Sequence, residues 1–283
     1  MDQDRSVKMS TMQAANRLWQ ALKKGGPTFG AWQMLPGSNN SRAMARTGID
    51  WIVVDTEHGN VDDGQMHEAV AAIAACGVSP VVRIAANEGW MVKRALDSGA
   101  HGIVVPLIYT PADVSRLVAS AKFPPRGNRG FGSPFPMEKF DPSLTTAEYL
   151  QQANDALITI VQIETKEALE NVDAIAAIDG VDVLLVGPFD LGNNIGYPIL
   201  DGTMHTYLVR AIDRILEAAT KHGKRTGIYC TSGEQSRHFA EKGFNMVSIA
   251  ADMIALPAYL TSTLKIAKGE SGAAEKVTGP YGR

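Results

Sequence analysis

Val161-Gln162-Ile163-Glu164-Thr165, followed 26 residues after Glu164 by Gly187-Pro188-Phe189-Asp190, decides the fold. Each carboxylate closes an apolar, strand-like run: Ala156–Ile163 before Glu164, and Val181–Val186 before Asp190. A helical pattern over Lys166–Ile178 separates the two runs. One strand plus one returning helix takes about that many residues, so a parallel barrel brings both acids to one rim. Two carboxylates converging there, with room for water, suit a hard divalent cation such as Mg²⁺ or Mn²⁺. Taken singly, Glu164 reads as a helix cap and Asp190 as a turn residue, because acids favour helix N-termini. Taken as a pair in register, the metal reading prevails.

The same alternation extends outward over most of the chain. Strand patterns fall at Thr28–Met34, Trp51–Thr56, Pro80–Ile84, Gly102–Leu107, Leu157–Ile163, Val181–Val186, Arg225–Tyr229 and Met246–Ala250. Helical patterns fall at Asn40–Arg46, Gly64–Ala75, Trp90–Ser98, Pro111–Ala121, Lys166–Ile178, Met204–His222, Glu234–Lys242 and Asp252–Ala267. Most strands are continuously apolar, as parallel strands covered on both faces are. Eight β/α units predict an α/β protein of the (β/α)8 TIM-barrel type over residues 1–268, with an amphipathic Met12–Lys23 segment closing the barrel floor. A doubly wound sheet usually carries a Gly-rich first turn, and none follows Thr28–Met34. The Gly-rich tail, 269–283, is expected to fray.

Composition bounds the function. The 283 residues are 45% hydrophobic and 20% charged, enough for one large domain with a substantial core. A net charge of −3 argues against nucleic acid as the main partner. Cys76 and Cys230 sit in apolar stretches and read as buried thiols, not as a disulfide framework or a cysteine metal site. The polar first ten residues carry no secretory h-region, and no apolar run is long enough to span a bilayer. A cytoplasmic enzyme is expected.

The second strand ends in Asp55-Thr56-Glu57-His58-Gly59. His58 suits proton transfer near neutral pH, with a carboxylate such as Asp55 to orient the ring and raise its basicity. Arg83 ends the third strand, 26 residues after Glu57, inside an otherwise apolar run. A buried guanidinium requires a partner, either a substrate carboxylate or enolate oxygen, or Glu57 in a structural pair. His101, before the fourth strand, belongs to the opposite rim and to stability. Asp97 reads as an ordinary helix-end residue. Two irregular stretches, Phe123–Thr146 and Asn193–Thr203, are expected on the catalytic rim because long loops in compact domains usually serve function. The strands hold no lysine, which disfavours a Schiff-base aldolase.

These residues together carry a resemblance. Val54-Asp55-Thr56-Glu57-His58, Pro80-Val81-Val82-Arg83, Asp97-Ser98-Gly99-Ala100, Pro124-Pro125-Arg126-Gly127-Asn128-Arg129-Gly130, the Gln162–Thr165 stretch and Gly187-Pro188-Phe189-Asp190-Leu191 resemble the HpcH/HpaI aldolase family. That family comprises the metal-dependent class II pyruvate aldolases. The resemblance spans Thr28 to Leu260. Within it, Asn193–Pro198 and Phe123–Phe131 look most like the macrophomate synthase branch. The resemblance implies that Glu164 and Asp190 hold a divalent metal, Mg²⁺ first and Mn²⁺ or Co²⁺ as substitutes. It further implies that Gln162, Gly187 and Pro188 line the pocket, that Arg83 binds the keto or enolate oxygen, and that His58 with Asp55 is the acid/base centre. Asp97 would reach a neighbouring subunit's site in a homohexamer whose last helix is exchanged between subunits.

Three functions follow as expectations. The first is aldol cleavage of a 4-hydroxy-2-oxo acid through a pyruvate enolate. The second is oxaloacetate decarboxylation with capture of the enolate by a 2-pyrone-like acceptor. The third is a non-catalytic barrel that binds a 2-oxo acid, to which an acid/base pair at His58 and Asp55 would be of no use.

Overall fold

The computed structural model describes residues 9–270; the expected tail lies outside the described residues beyond Glu270. Eight strands close a parallel barrel in sequence order. They are β1 (Thr28–Gln33), β2 (Trp51–Asp55), β3 (Ser79–Arg83), β4 (Gly102–Val105), β5 (Ile158–Ile163), β6 (Val183–Val186), β7 (Arg225–Ile228) and β8 (Met246–Ala251). The helices up to β5 are α1 (Thr11–Ala15), α2 (Arg17–Lys24), α3 (Ser38–Ala45), α4 (Asp63–Ala74), α5 (Gly89–Asp97), α6 (Pro111–Ala121) and α7 (Thr146–Ala156). Beyond β5 come α8 (Lys166–Glu170), α9 (Val172–Ala176), α10 (Pro188–Asn194), α11 (Thr206–Lys221), α12 (Gly233–Lys242) and α13 (Asp252–Ala267). The expected barrel and all eight strands are present, with ends shifted by at most two residues.

Two apolar cores result from the alternation of side chains along each strand. Inside the barrel, Trp51, Val53, Val81, Val104, Ile158, Ile160, Val183 and Leu185 pack together, with Leu18 and Leu22 of α2 among them. The outer core fills the space between strands and helices, with Ile52, Val54, Val82 and Ile103 pointing outward. Gly30 is required by this packing, since a Cβ there would lie 2.1 Å from the Trp51 ring.

The floor is closed as expected, by two short helices instead of one. Asn16 ends α1 and caps α2 with its side chain, whose Nδ2 also donates to the carbonyls of His101 and Ala156. The expected Lys166–Ile178 helix is likewise divided at Asn171, whose Nδ2 donates to the Glu167 carbonyl. Side-chain competition for a backbone acceptor is a physical reason for the break.

Phe123–Thr146 corrects an expectation. It leaves a helix antiparallel to the strands, so it lies at their N-terminal ends, away from the catalytic rim. There Arg129 pairs with Asp97 at 2.7 Å, the Lys139 carbonyl lies 3.0 Å from His101 Nε2, and Phe140 stacks on the His101 ring. His101 is buried with its pKa pushed down to about 4 by that burial, in keeping with a structural role. Cys76 is also corrected: it is exposed in the turn after α4, whereas Cys230 is buried, and both thiols are free. Among the described residues, no helix is long and apolar enough to cross a membrane.

Candidate active site

The C-terminal ends of β1, β3, β5, β6 and β7 converge on one pocket, lined by Trp32, Arg83, Gln162, Gly187, Pro188, Phe189, Asp190 and Tyr229. Parallel strands in register deliver these residues to a common level, with Asp55 opposite Arg83 and Gln162 opposite Leu185. The sequence-predicted Arg83, Gln162, Gly187, Pro188 and Asp190 all line it.

Arg83 is 5% exposed and is held on three sides. Its Nε donates to Asp55 Oδ1 at 2.9 Å and its Nη2 to Asp55 Oδ2 at 2.6 Å. Nη1 lies 3.1 Å from Glu57 Oε2, and the guanidinium sits 4.5 Å over the Trp32 ring. Both alternatives for its partner are therefore narrowed on the protein side: Glu57 is a structural partner, and fully buried Asp55 is the stronger one. Bidentate pairing of this kind fixes orientation as well as charge.

The His58–Asp55 pairing takes a different form from the one expected. Asp55 Oδ1 accepts from the backbone N–H groups of Glu57 and His58, at 3.1 and 3.3 Å, while its carboxylate clasps Arg83. The carboxylate that approaches the ring is that of Glu57, with Oε1 3.6 Å from His58 Nε2. The His58 side chain is 47% exposed. Burial pushes Glu57 up to about 7 against the pull of Arg83, and Asp55 and Asp190 add to the rise.

Glu164 is 2% exposed. Its Oε1 accepts from the Leu107 N–H at 2.8 Å, and its Oε2 from Gln162 Nε2 at 2.5 Å. Leu107 has φ 49°, in the left-handed region disfavoured for a branched side chain, and it presents its amide to Glu164. Burial, with Asp190 and Glu57 adding like charge, pushes Glu164 up to about 7 against the Leu107 hydrogen bond and Arg83. Asp190 is exposed in the first turn of α10, behind Pro188 at its start. Gly187 leaves the space beside Glu164 open, since a Cβ there would lie 2.3 Å from Glu164 Oε2 and 2.9 Å from Gln162 Nε2.

The residues fit a hard divalent cation, although no group of three or more His, Cys, Asp or Glu side chains gathers among the described residues. Gln162 Oε1 is buried without a hydrogen-bond partner, beside a buried carboxylate whose charge is disfavoured by its surroundings. An oxygen-seeking cation would relieve both, with water or substrate completing its shell.

The family model for HpcH/HpaI aldolase/citrate lyase matches residues 31–257. The chain belongs to the HpcH/HpaI family. The hydroxypyruvate/pyruvate aldolase of Rhizorhabdus wittichii is 35% identical over 243 residues, covering 86% of this chain and 95% of the relative. An HpcH/HpaI family protein from Burkholderia cenocepacia superposes with a TM-score of 0.82 at 34% identity, over 89% of this chain and 99% of that one. Macrophomate synthase, the branch singled out from the sequence, superposes with a TM-score of 0.79 at 26% identity, over 91% and 89%. Membership makes the chain an aldolase or lyase of the HpcH/HpaI type.

Asp97 stands apart from this site, at the end of α5 and beside Arg129. Three residues escaped the sequence reading: Glu57 as the neighbour of His58, Trp32 beneath Arg83, and Tyr229, which packs edge-on to Trp32 at 5.4 Å. All three lie at or next to the C-terminal end of a strand, the positional signal that singled out Arg83 and Glu164.

Proposed function

We propose that this HpcH/HpaI family member is a metal-dependent carbon–carbon lyase, a class II pyruvate-dependent aldolase, that cleaves or forms 4-hydroxy-2-oxo acids through a pyruvate enolate. The observation that carries the reading is Arg83, a buried guanidinium clamped by Asp55 and Glu57 in the pocket that also holds Gln162 and Asp190. Glu164 and Asp190, with the Gln162 carbonyl beside them, are the residues that would hold the divalent ion, Mg²⁺ in preference to Mn²⁺ or Co²⁺. Such an ion, when bound, supplies Lewis acidity toward a 2-oxo acid.

Arg83 supplies a fixed positive charge where the enolate oxygen develops. Preorganised charge in a partly dehydrated pocket is worth more than the same charge in water. His58 accepts the proton of the C4 hydroxyl as the C3–C4 bond breaks. The electron pair of that bond becomes the enolate, the aldehyde departs, and the enolate takes up a proton at C3 to give pyruvate. Glu57 faces both Arg83 and the His58 ring and so holds the two in a common arrangement.

A second reaction, decarboxylation of oxaloacetate with capture of the enolate, has its own support. Trp32, Tyr229 and Phe189 form an aromatic wall suited to a flat acceptor, and the fold is shared with macrophomate synthase. The non-catalytic binding reading has no comparable support, because it leaves the His58 ring without a task. The same proposal includes a homohexamer in which Asp97 serves a neighbouring site, and a cytoplasmic setting that suits two free thiols.

The test is to load metal-free protein with Mg²⁺ and assay pyruvate release from a panel of 4-hydroxy-2-oxo acids and from oxaloacetate. Release from the hydroxy acids that is abolished by Arg83→Ala is expected. Pyruvate release unaffected by metal removal would overturn the reading.

A further inference from the structure

The end of the barrel opposite the catalytic rim carries a second concavity, unrelated to the chemistry above. Its volume is about 210 Å³, and it is bordered by Trp19 and Lys23 of α2, Asp182 ahead of β6, and Lys224 and Arg225 at the start of β7. We propose that this floor recess binds a small oxyanion of the phosphate class.

Charge is the first argument. Three cations face one carboxylate, on a chain whose net charge is −3, so the positive excess is local to the recess. Arg225 is half-buried, and among the described residues no carboxylate lies within 4 Å of its guanidinium. The Asp182 carboxylate is already engaged, accepting from the Thr159 amide at 2.8 Å, and burial raises its pKa against the pull of Lys122, Lys23 and Lys224. One carboxylate against three cations leaves the recess with a positive excess. A partly desolvated guanidinium with no anion is costly, and a phosphate offers it two parallel acceptors.

Rigidity is the second argument. The Lys224 ammonium is tied to the carbonyls of Ile178 and Val181, at 3.0 and 2.9 Å, which leaves one of its three donors for a ligand. The Arg225 N–H donates to the Asp182 carbonyl at 3.0 Å, so the side chains of both residues spring from one rung of the barrel. Lys23 lies over the Trp19 ring, 5.3 Å from its centroid, at the edge of the recess. Gly25, at φ 80°, borders the Arg225 guanidinium. The Lys224 ammonium and the backbone that carries Arg225 are thus held by the barrel floor before any ligand arrives, which reduces the entropy lost on binding.

The experiment uses the full-length protein, dialysed free of metal and chelator, so that metal-held anion binding at the catalytic rim is removed. Inorganic phosphate and glycerol 3-phosphate are titrated separately by calorimetry at low ionic strength. One saturable site is expected, weakened about tenfold or more by Arg225→Gln, as for loss of a charge-assisted bidentate contact. Exposed Lys23→Gln should weaken it by a smaller factor and serves as the second variant if Arg225→Gln does not fold. Tighter binding of the ester assigns the recess to phosphorylated metabolites, and equal binding assigns it to free phosphate. Absence of saturable binding, or binding lost in Arg83→Ala and retained in Arg225→Gln, overturns the proposal.

Discussion

Glu164 is a carboxylate placed where its charge is disfavoured, with a backbone amide and an amide side chain pointed at it and a second acid nearby. Glu164→Gln or Asp190→Asn is therefore expected to abolish metal-dependent pyruvate release while circular dichroism stays that of the parent. A pH effect follows from the same burial. Burial holds the pKa values of Glu164 and Glu57 in the folded state at about 7, above the ordinary glutamate value of 4.5. A folded state that holds these protons more tightly has its full relative stability below about pH 4.5 and loses it as pH rises toward and through 7. Metal-free protein should thus show a falling melting temperature between pH 5 and 8, flattened in Glu164→Gln and offset by added Mg²⁺. A melting temperature that rises over that range in the metal-free parent would contradict the assignment. For His58, replacement by Ala should lower aldol cleavage by roughly 10²–10⁴-fold, the usual worth of a positioned base. Oxaloacetate decarboxylation should fall less, because loss of CO₂ removes no hydroxyl proton. Equal losses in the two assays would assign His58 a structural task. Arg83 and the acid pair were legible from strand ends alone, and Gln162 from the family resemblance. The partnership of Glu57 with His58 was not, because side-chain direction at a strand's exit depends on which neighbour claims Asp55, and Arg83 claims it.

Among the elements, α2 closes the barrel and Asn16 sets its place. The Asn16 side chain donates to two buried carbonyls and accepts from the Trp19 N–H and the Ser79 hydroxyl. Asn16→Leu removes these bonds and leaves the Ala156 carbonyl without its side-chain donor, at about 1–3 kcal/mol for a buried group left unpaired, while the His101 carbonyl keeps the Ile158 N–H. A clear drop in the urea midpoint, with pyruvate release from the remaining folded fraction intact, is expected. An unchanged midpoint would mean that water replaces the side chain. The floor helix was legible because its apolar stripe is periodic; its break at Asn16 was not. In contrast, α7 went unread although Thr145 and Glu148 form a capping box at its start. The rim occupied by Phe123–Thr146 was misassigned because its Pro and Gly content says loop without saying which end of the barrel.

For the whole molecule, the proposed assembly rests on two features. Asp97 sits at the end of α5, in the grip of Arg129 and away from its own pocket. Beyond Ile254, α13 leaves Leu256, Tyr259, Leu260, Leu264 and Ile266 more than half exposed, so it does not serve as a cover for its own barrel. A run of exposed apolar side chains of this length marks a contact surface. If sites are shared, Asp97→Ala subunits mixed with Arg83→Ala subunits should regain part of the activity, since some sites in a mixed oligomer are intact. The check is co-expression with two tags, followed by assay of the doubly purified species. A fully active monomer, or no recovery in verified mixed oligomers, would defeat the shared site.

By itself the sequence determined the barrel, its strand order and the rim on which the acids, Arg83 and His58 gather. Those follow from local period and from the repeat length of a strand and helix, which are properties of neighbouring residues. Only the tertiary structure decided that Asp55 belongs to Arg83, that Glu57 faces His58, that Trp32 and Tyr229 wall the pocket, and that Phe123–Thr146 lies under the barrel. These depend on which side chains compete for one charge or one volume across distant strands, and no local pattern encodes the outcome of that competition.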